Sequence, residues 1–84
     1  VIILLKREIH MHYTQRLEDL RKDKDLTQEQ VAKLLELPRE QYRRYETGIN
    51  EIKASFIIKV CKFYNVSADY LLGFTDTYQP LPKD

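Results

Sequence analysis

The chain has 84 residues, with 14 Lys and Arg against 13 Asp and Glu, 43% hydrophobic residues and one cysteine. A chain of this length makes one domain that buries only about 60% of the surface its unfolded form exposes, so a second active domain does not fit, and the composition excludes wholesale disorder. The net charge of +1 decides nothing as a total, because a nucleic-acid binder needs only a local basic surface, while Cys61 alone excludes an intramolecular disulfide or a cysteine zinc site and suits a reducing compartment.

The longest wholly apolar run, Val1 to Leu5, is far short of the roughly 20 residues of a membrane-spanning helix. Lys6, Arg7 and Glu8 interrupt it before the about 7–15 apolar residues of a signal segment accumulate, so the expected location is cytoplasmic, with no membrane partner. Residues 1–10, VIILLKREIH, differ in character from the rest of the chain and precede Met11. Two readings stay open: an N-terminal extension ahead of a biological start at Met11, or the beginning of helix one. The second draws on Ile9, Tyr13, Leu17 and Leu20, which recur at helical spacing toward about Lys22. His10 and His12 fall on different faces of such a helix with no third ligand, so no metal site is expected.

Asp23, Lys24 and Asp25 form a polar connection, after which Thr27 and Gln30 match a capping box for a second helix from about Gln28 to Leu35. Val31, Leu34 and Leu35 give it an apolar side. Pro38 is tolerated only in the first turn of a helix, so a third helix starts there, carrying Tyr42 and Tyr45 as apolar members and ending at Gly48, which accepts positive φ. Tyr42 and Tyr45 read as core rather than as platforms for stacked bases. Arg39, Glu40, Arg43 and Arg44 lie on a surface too polar for core. Two short helices joined by a tight turn, the second bearing such a face, are the layout of a helix-turn-helix that reads DNA.

After a loop over residues 49–53, Ile57, Val60, Cys61 and Tyr64 recur as one face of a fourth helix, with Asn65 at its left-handed end. Ser67 caps a last short helix, SADYLLG, with Asp69 in its first turn. The prolines and missing period of FTDTYQPLPKD predict a tail, over residues 75–84, that is extended along the surface or mobile. The expectation is all-α: a compact five-helix domain over residues 11–74.

These segments resemble the lambda-repressor-like helix-turn-helix domains, also called the Cro/CI or xenobiotic-response-element family, through RLEDLRKDKDLTQEQVAKLL, PREQYRRYETG and IIKVCKFYNVSADYLLG. Their order and spacing together are specific. The resemblance implies double-stranded operator DNA as the partner, bound by a homodimer with the third helix in the major groove. It puts Arg39, Glu40 and Arg44 at base-facing positions with Arg43 beside them. It puts Gln28 where a phosphate is held or the recognition helix is braced, and Asn50 and Lys53 near the sugar-phosphate backbone. The chain departs from the family at Glu36, where glycine is common, and at Pro38, where a hydroxyl residue usually caps.

The chemistry agrees with those assignments. Arginine can donate two parallel hydrogen bonds to guanine O6 and N7; Glu40 can accept from cytosine N4 or hold Arg43 or Arg44 at i+3 or i+4, the bracing role being favoured. A dimer would place its recognition helices about 34 Å apart on a near-palindromic site. Phe56, Tyr70, Leu71, Leu72 and Phe74 exceed what the end of one small domain needs, which suggests a dimer surface. The leading expectation is a transcriptional repressor that needs no cofactor. The alternative is an interaction module, such as an antitoxin, holding a regulatory protein partner through the tail with Tyr78 and Leu81. No carboxylate pair, activated nucleophile, phosphate-cradling glycine loop or metal cluster points to an enzyme.

Overall fold

The computed structural model describes residues 2–82, with side chains from residue 13 onward. Five helices occur in chain order: α1 (Ile2–Asp23), α2 (Gln28–Leu34), α3 (Arg39–Thr47), α4 (Ala54–Tyr64) and α5 (Ala68–Leu71). No strand occurs among the described residues, in agreement with the expected all-α class. His10 and His12 lie outside the residues whose side chains are described.

The starts of α2 and α5 are fixed by local side-chain caps. Thr27 caps α2 through the complete capping box, its hydroxyl accepting from the Gln30 amide at 3.1 Å while the Gln30 side chain accepts from the Thr27 amide at 2.8 Å. Two donors that the helix leaves unpaired are thereby satisfied. Ser67 caps α5 by accepting from the Tyr70 amide. Pro38 precedes α3 with no side-chain cap; its ring fixes φ near −58° and its carbonyl accepts the first helical hydrogen bond, from the Tyr42 amide.

Four of the helix ends share one device. Asp25, Glu36, Asn65 and Gly73 take positive φ just after α1, α2, α4 and α5. The next residue in each case returns its amide to a carbonyl five positions back: Leu26 to Arg21, Leu37 to Ala32, Val66 to Cys61 and Phe74 to Asp69. This is the Schellman arrangement, which turns the chain sharply and pairs carbonyls the helix would leave open. Asp and Asn enter the left-handed region with little penalty; glutamate has no such advantage. Glu36 at φ 60° is therefore the costly one, and it sits in the turn of the helix-turn-helix. Glu36→Gly should raise stability by about 0.5–1 kcal/mol, the relief of the left-handed Cβ clash less the entropy glycine adds to the unfolded chain. A urea titration would check it, and a loss of stability would contradict this account of the turn.

The core draws on every helix, with Leu17 of α1, Val31 of α2, Tyr42 of α3, Val60 of α4, Leu71 of α5 and Val66 between the last two fully enclosed. Tyr42 and Tyr45 are buried, and Phe56 packs on Tyr45 with ring centroids 4.3 Å apart, so both tyrosines are core as expected. Leu34 departs from expectation. It is 56% exposed, because α2 has only seven residues and its inward positions are filled by Val31, Ala32 and Leu35. On α4, Phe56 takes the fully buried first position expected of Ile57, which is half-buried. Phe56 and Leu71 are likewise core and not surplus; Phe74 stays exposed.

The tail is extended and strapped down. Ser67 donates its amide to Gln79, the Tyr78 hydroxyl donates to the Asn65 carbonyl, and Leu81 donates its amide to Asn65 Oδ1. Arg16 of α1 reaches Tyr70 O, Thr75 O and Asp76 Oδ1, with its guanidinium 3.9 Å from the Tyr70 ring centroid. One cation thus ties α1, α5 and the tail together. None of the helices among the described residues is long and apolar enough to cross a membrane.

Candidate nucleic-acid interface

The orientation of α3 is set from below by a buried ion pair. Arg21 of α1 donates Nε to Glu46 Oε2 at 2.9 Å and Nη2 to Glu46 Oε1 at 2.8 Å, a bidentate fork between side chains that are 11% and 2% exposed. Its remaining arm donates to the Leu26 carbonyl at 2.9 Å. Gln28, the first residue of α2, donates Nε2 to Glu46 Oε1 at 3.1 Å. A single carboxylate on α3 therefore collects α1 and α2. Burial alone would raise the Glu46 carboxyl, but the hydrogen bonds from Arg21 and Gln28 hold it below the ordinary carboxylate value.

Neither Arg21 nor Glu46 is among the residues expected to carry function, though a signal was present. Tyr13, Leu17 and Arg21 fall at i, i+4 and i+8, and Tyr42, Tyr45 and Glu46 at i, i+3 and i+4. Opposite charges thus stand on two stripes that are otherwise apolar. Gln28, assigned by resemblance to a phosphate or to bracing α3, has the second geometry.

The rest of the α3 surface is charged, with Arg39, Glu40 and Arg44 exposed and Arg43 half-buried. Arg39 opens the helix and makes no ion pair among the described residues. Glu40 accepts from Arg43 through both oxygens, Nε lying 2.9 Å from Oε1 and Nη2 contacting Oε2. Arg44 Nε adds a 3.3 Å contact to the same Oε2. Arg43 first and Arg44 second draw the Glu40 carboxyl down to about 2, so it is ionised at any physiological pH. Gly48 closes the helix in the left-handed region at φ 82°.

Asn50 lies in the loop after it, half-buried, its amide donating to the Arg44 carbonyl. Lys53 is exposed at the residue preceding α4, without a capping hydrogen bond. Arg39, Glu40, Arg43 and Arg44 thus share one helix face, Asn50 and Lys53 lie on the loop leaving it, and Gln28 is turned inward beneath it. No group of three or more metal-ligating side chains occurs among the described residues.

A short helix, a tight left-handed turn and a second helix with a buried aromatic side and an exposed arginine face define a helix-turn-helix DNA-binding domain. The chain belongs to the Cro/CI-type helix-turn-helix family, whose model matches residues 17–71, and family members are DNA-binding transcriptional regulators rather than enzymes. It is 37% identical over 68 residues to the uncharacterised HTH-type transcriptional regulator YobD of Bacillus subtilis, covering 81% of this chain and 61% of that protein. It is 32% identical to the cryptic phage CTXphi transcriptional repressor RstR of Vibrio cholerae, over 77% of this chain and 59% of the relative. A third relative, the antitoxin PezA of Streptococcus pneumoniae, is 31% identical over 77% of this chain and 41% of its own length. The chain therefore spans about three-fifths or less of the curated relatives it matches. No solved structure matches it significantly.

Proposed function

We propose that this chain is a cytoplasmic, sequence-specific repressor that binds a near-palindromic operator as a homodimer, with α3 in the major groove. The observation that carries the reading is the exposed face of α3, where three arginines stand on a helix held rigidly from behind by the Arg21–Glu46 fork. Arg39 and Arg44 read base edges, Arg43 and Glu40 complete that surface, and Asn50 and Lys53 hold the sugar-phosphate backbone. Gln28 braces the helix. The similarity to a phage repressor supports repression by occupying the operator.

Selection of sites from random duplex DNA tests this, with affinity for the winning sequence measured across salt concentration. A near-palindrome with half-sites about 34 Å apart is expected, bound at least about 10³-fold more tightly than random duplex. Arg44→Ala should then cost about 1–3 kcal/mol on the winner and relax preference at one position, whereas Lys53→Ala should weaken all sequences alike and reduce the salt slope by about 1. Weak, steeply salt-dependent binding without preference would overturn the proposal. A second reading, an antitoxin holding a protein partner, draws on the similarity to PezA. A co-expressed protein retained on the full chain after Arg39, Arg43 and Arg44 are all replaced by alanine would favour it.

A further inference from the structure

We infer that Glu40 is a specificity-determining residue whose task is to weaken binding to non-cognate DNA. The inference rests on the proposed reading of the α3 face and concerns how that face discriminates. Glu40 is the one acid on a surface otherwise made of Arg39, Arg43 and Arg44, and it touches two of the three. These pairs are solvent-exposed, with side-chain exposures of 40–58%, so they add little to folding. Their consequence lies in what the face presents to a ligand.

Sequence-independent binding is phosphate binding, driven by the counterions that basic side chains displace. Arg43 and Arg44 already share an intramolecular anion. To reach phosphates they must leave Glu40, whose carboxylate then faces a polyanion without its partners. Base edges impose no such loss. A guanine accepts the fork of an arginine at O6 and N7, and a cytosine N4 donates to the carboxylate. On the right sequence all three side chains keep complementary partners; on random sequence one is left opposed by like charge. Glu40 also fixes the two guanidinia through a bidentate contact and a shared oxygen, so less side-chain freedom remains to be lost when they dock.

The experiment compares the wild-type chain, Glu40→Gln and Glu40→Ala on the selected operator and on a random-sequence duplex, from low to high salt. Glu18→Gln removes the same unit of charge from α1 and serves as the control. Glu40→Gln should bind random duplex about tenfold more tightly near 0.1 M salt, with a slope steeper by about 0.9, the signature of one more counterion released. Operator affinity should stay unchanged or fall, so the specificity ratio drops at least tenfold. Glu40→Ala should move further the same way, because glutamine still offers an amide oxygen to the arginines. A residue that merely stabilises α3 would, when replaced, weaken both complexes alike, and that result overturns the inference. So does an unchanged random-duplex affinity, or an equal gain in Glu18→Gln. Wild type that itself fails to prefer the operator overturns the DNA-reading proposal and this inference with it.

Discussion

Replacing Glu46 with alanine should cost about 3–5 kcal/mol of folding stability, because it strands the Arg21 guanidinium in the interior without its carboxylate. The side chains are nearly enclosed, and the fork links α1 to α3 while Gln28 adds α2. At about 4–8 °C per kcal/mol for a domain of this size, the melting temperature should fall by tens of degrees. Thermal and urea denaturation followed by circular dichroism would measure it. Replacing both partners, Arg21→Met with Glu46→Leu, should recover much of the loss, since no buried charge is then unpaired. If Glu46→Ala melted within a few degrees of wild type, the fork would not be what positions α3.

The same pair sets an acid limit. The carboxyl of Glu46 is depressed below its ordinary value of 4.5, so its contribution is present above that pH and is lost as pH falls through the depressed value. The stability gap between wild type and Glu46→Ala should accordingly narrow below about pH 4.5, on the side where the carboxylate is protonated.

Much of this molecule was legible in order along the chain. Thr27 with Gln30, Pro38, Gly48, Asn65 and Ser67 each mark a helix boundary through chemistry contained within a few residues, and the observed boundaries coincide with them. The charged face of α3 was legible for the same reason, since Arg39, Glu40, Arg43 and Arg44 are neighbours on one helix and the pairing of Glu40 with Arg43 and Arg44 depends on i+3 and i+4 spacing alone. What escaped was non-local. The partner of Glu46 is 25 positions away, and only the packing of α1 on α3 joins them. Leu34 reads as core by periodicity, yet whether an apolar side chain is covered depends on which element passes over it, and Leu34 stays 56% exposed. The docking of the tail was hidden likewise: it depends on Arg16, 60 residues from Asp76, and on Asn65 offering both its carbonyl and its side chain.

Replacing Arg39, Arg43 and Arg44 together with alanine should abolish operator recognition while leaving the fold intact, and this is the largest functional effect the structure supports. Arg39 and Arg44 are exposed and Arg43 is half-buried, and none of them is among the buried residues of α3, which are Tyr42, Tyr45 and Glu46. Alanine is the strongest helix former, so the helix loses little by the change and the melting temperature should stay within a few degrees. Specific complexes of such domains are typically about 10³–10⁷ tighter than their non-specific ones. With every proposed base-reading arginine removed, that ratio should fall to near one. Non-specific affinity should fall as well, since Glu40 would then stand on the face as an unopposed negative charge toward the phosphates. Adding Glu40→Ala to the triple variant should restore some of that non-specific binding and none of the sequence preference. Titrations of both variants on operator and random duplexes at two salt concentrations would separate the effects. A triple variant that still preferred the operator would mean that sequence is read by another surface of the protein.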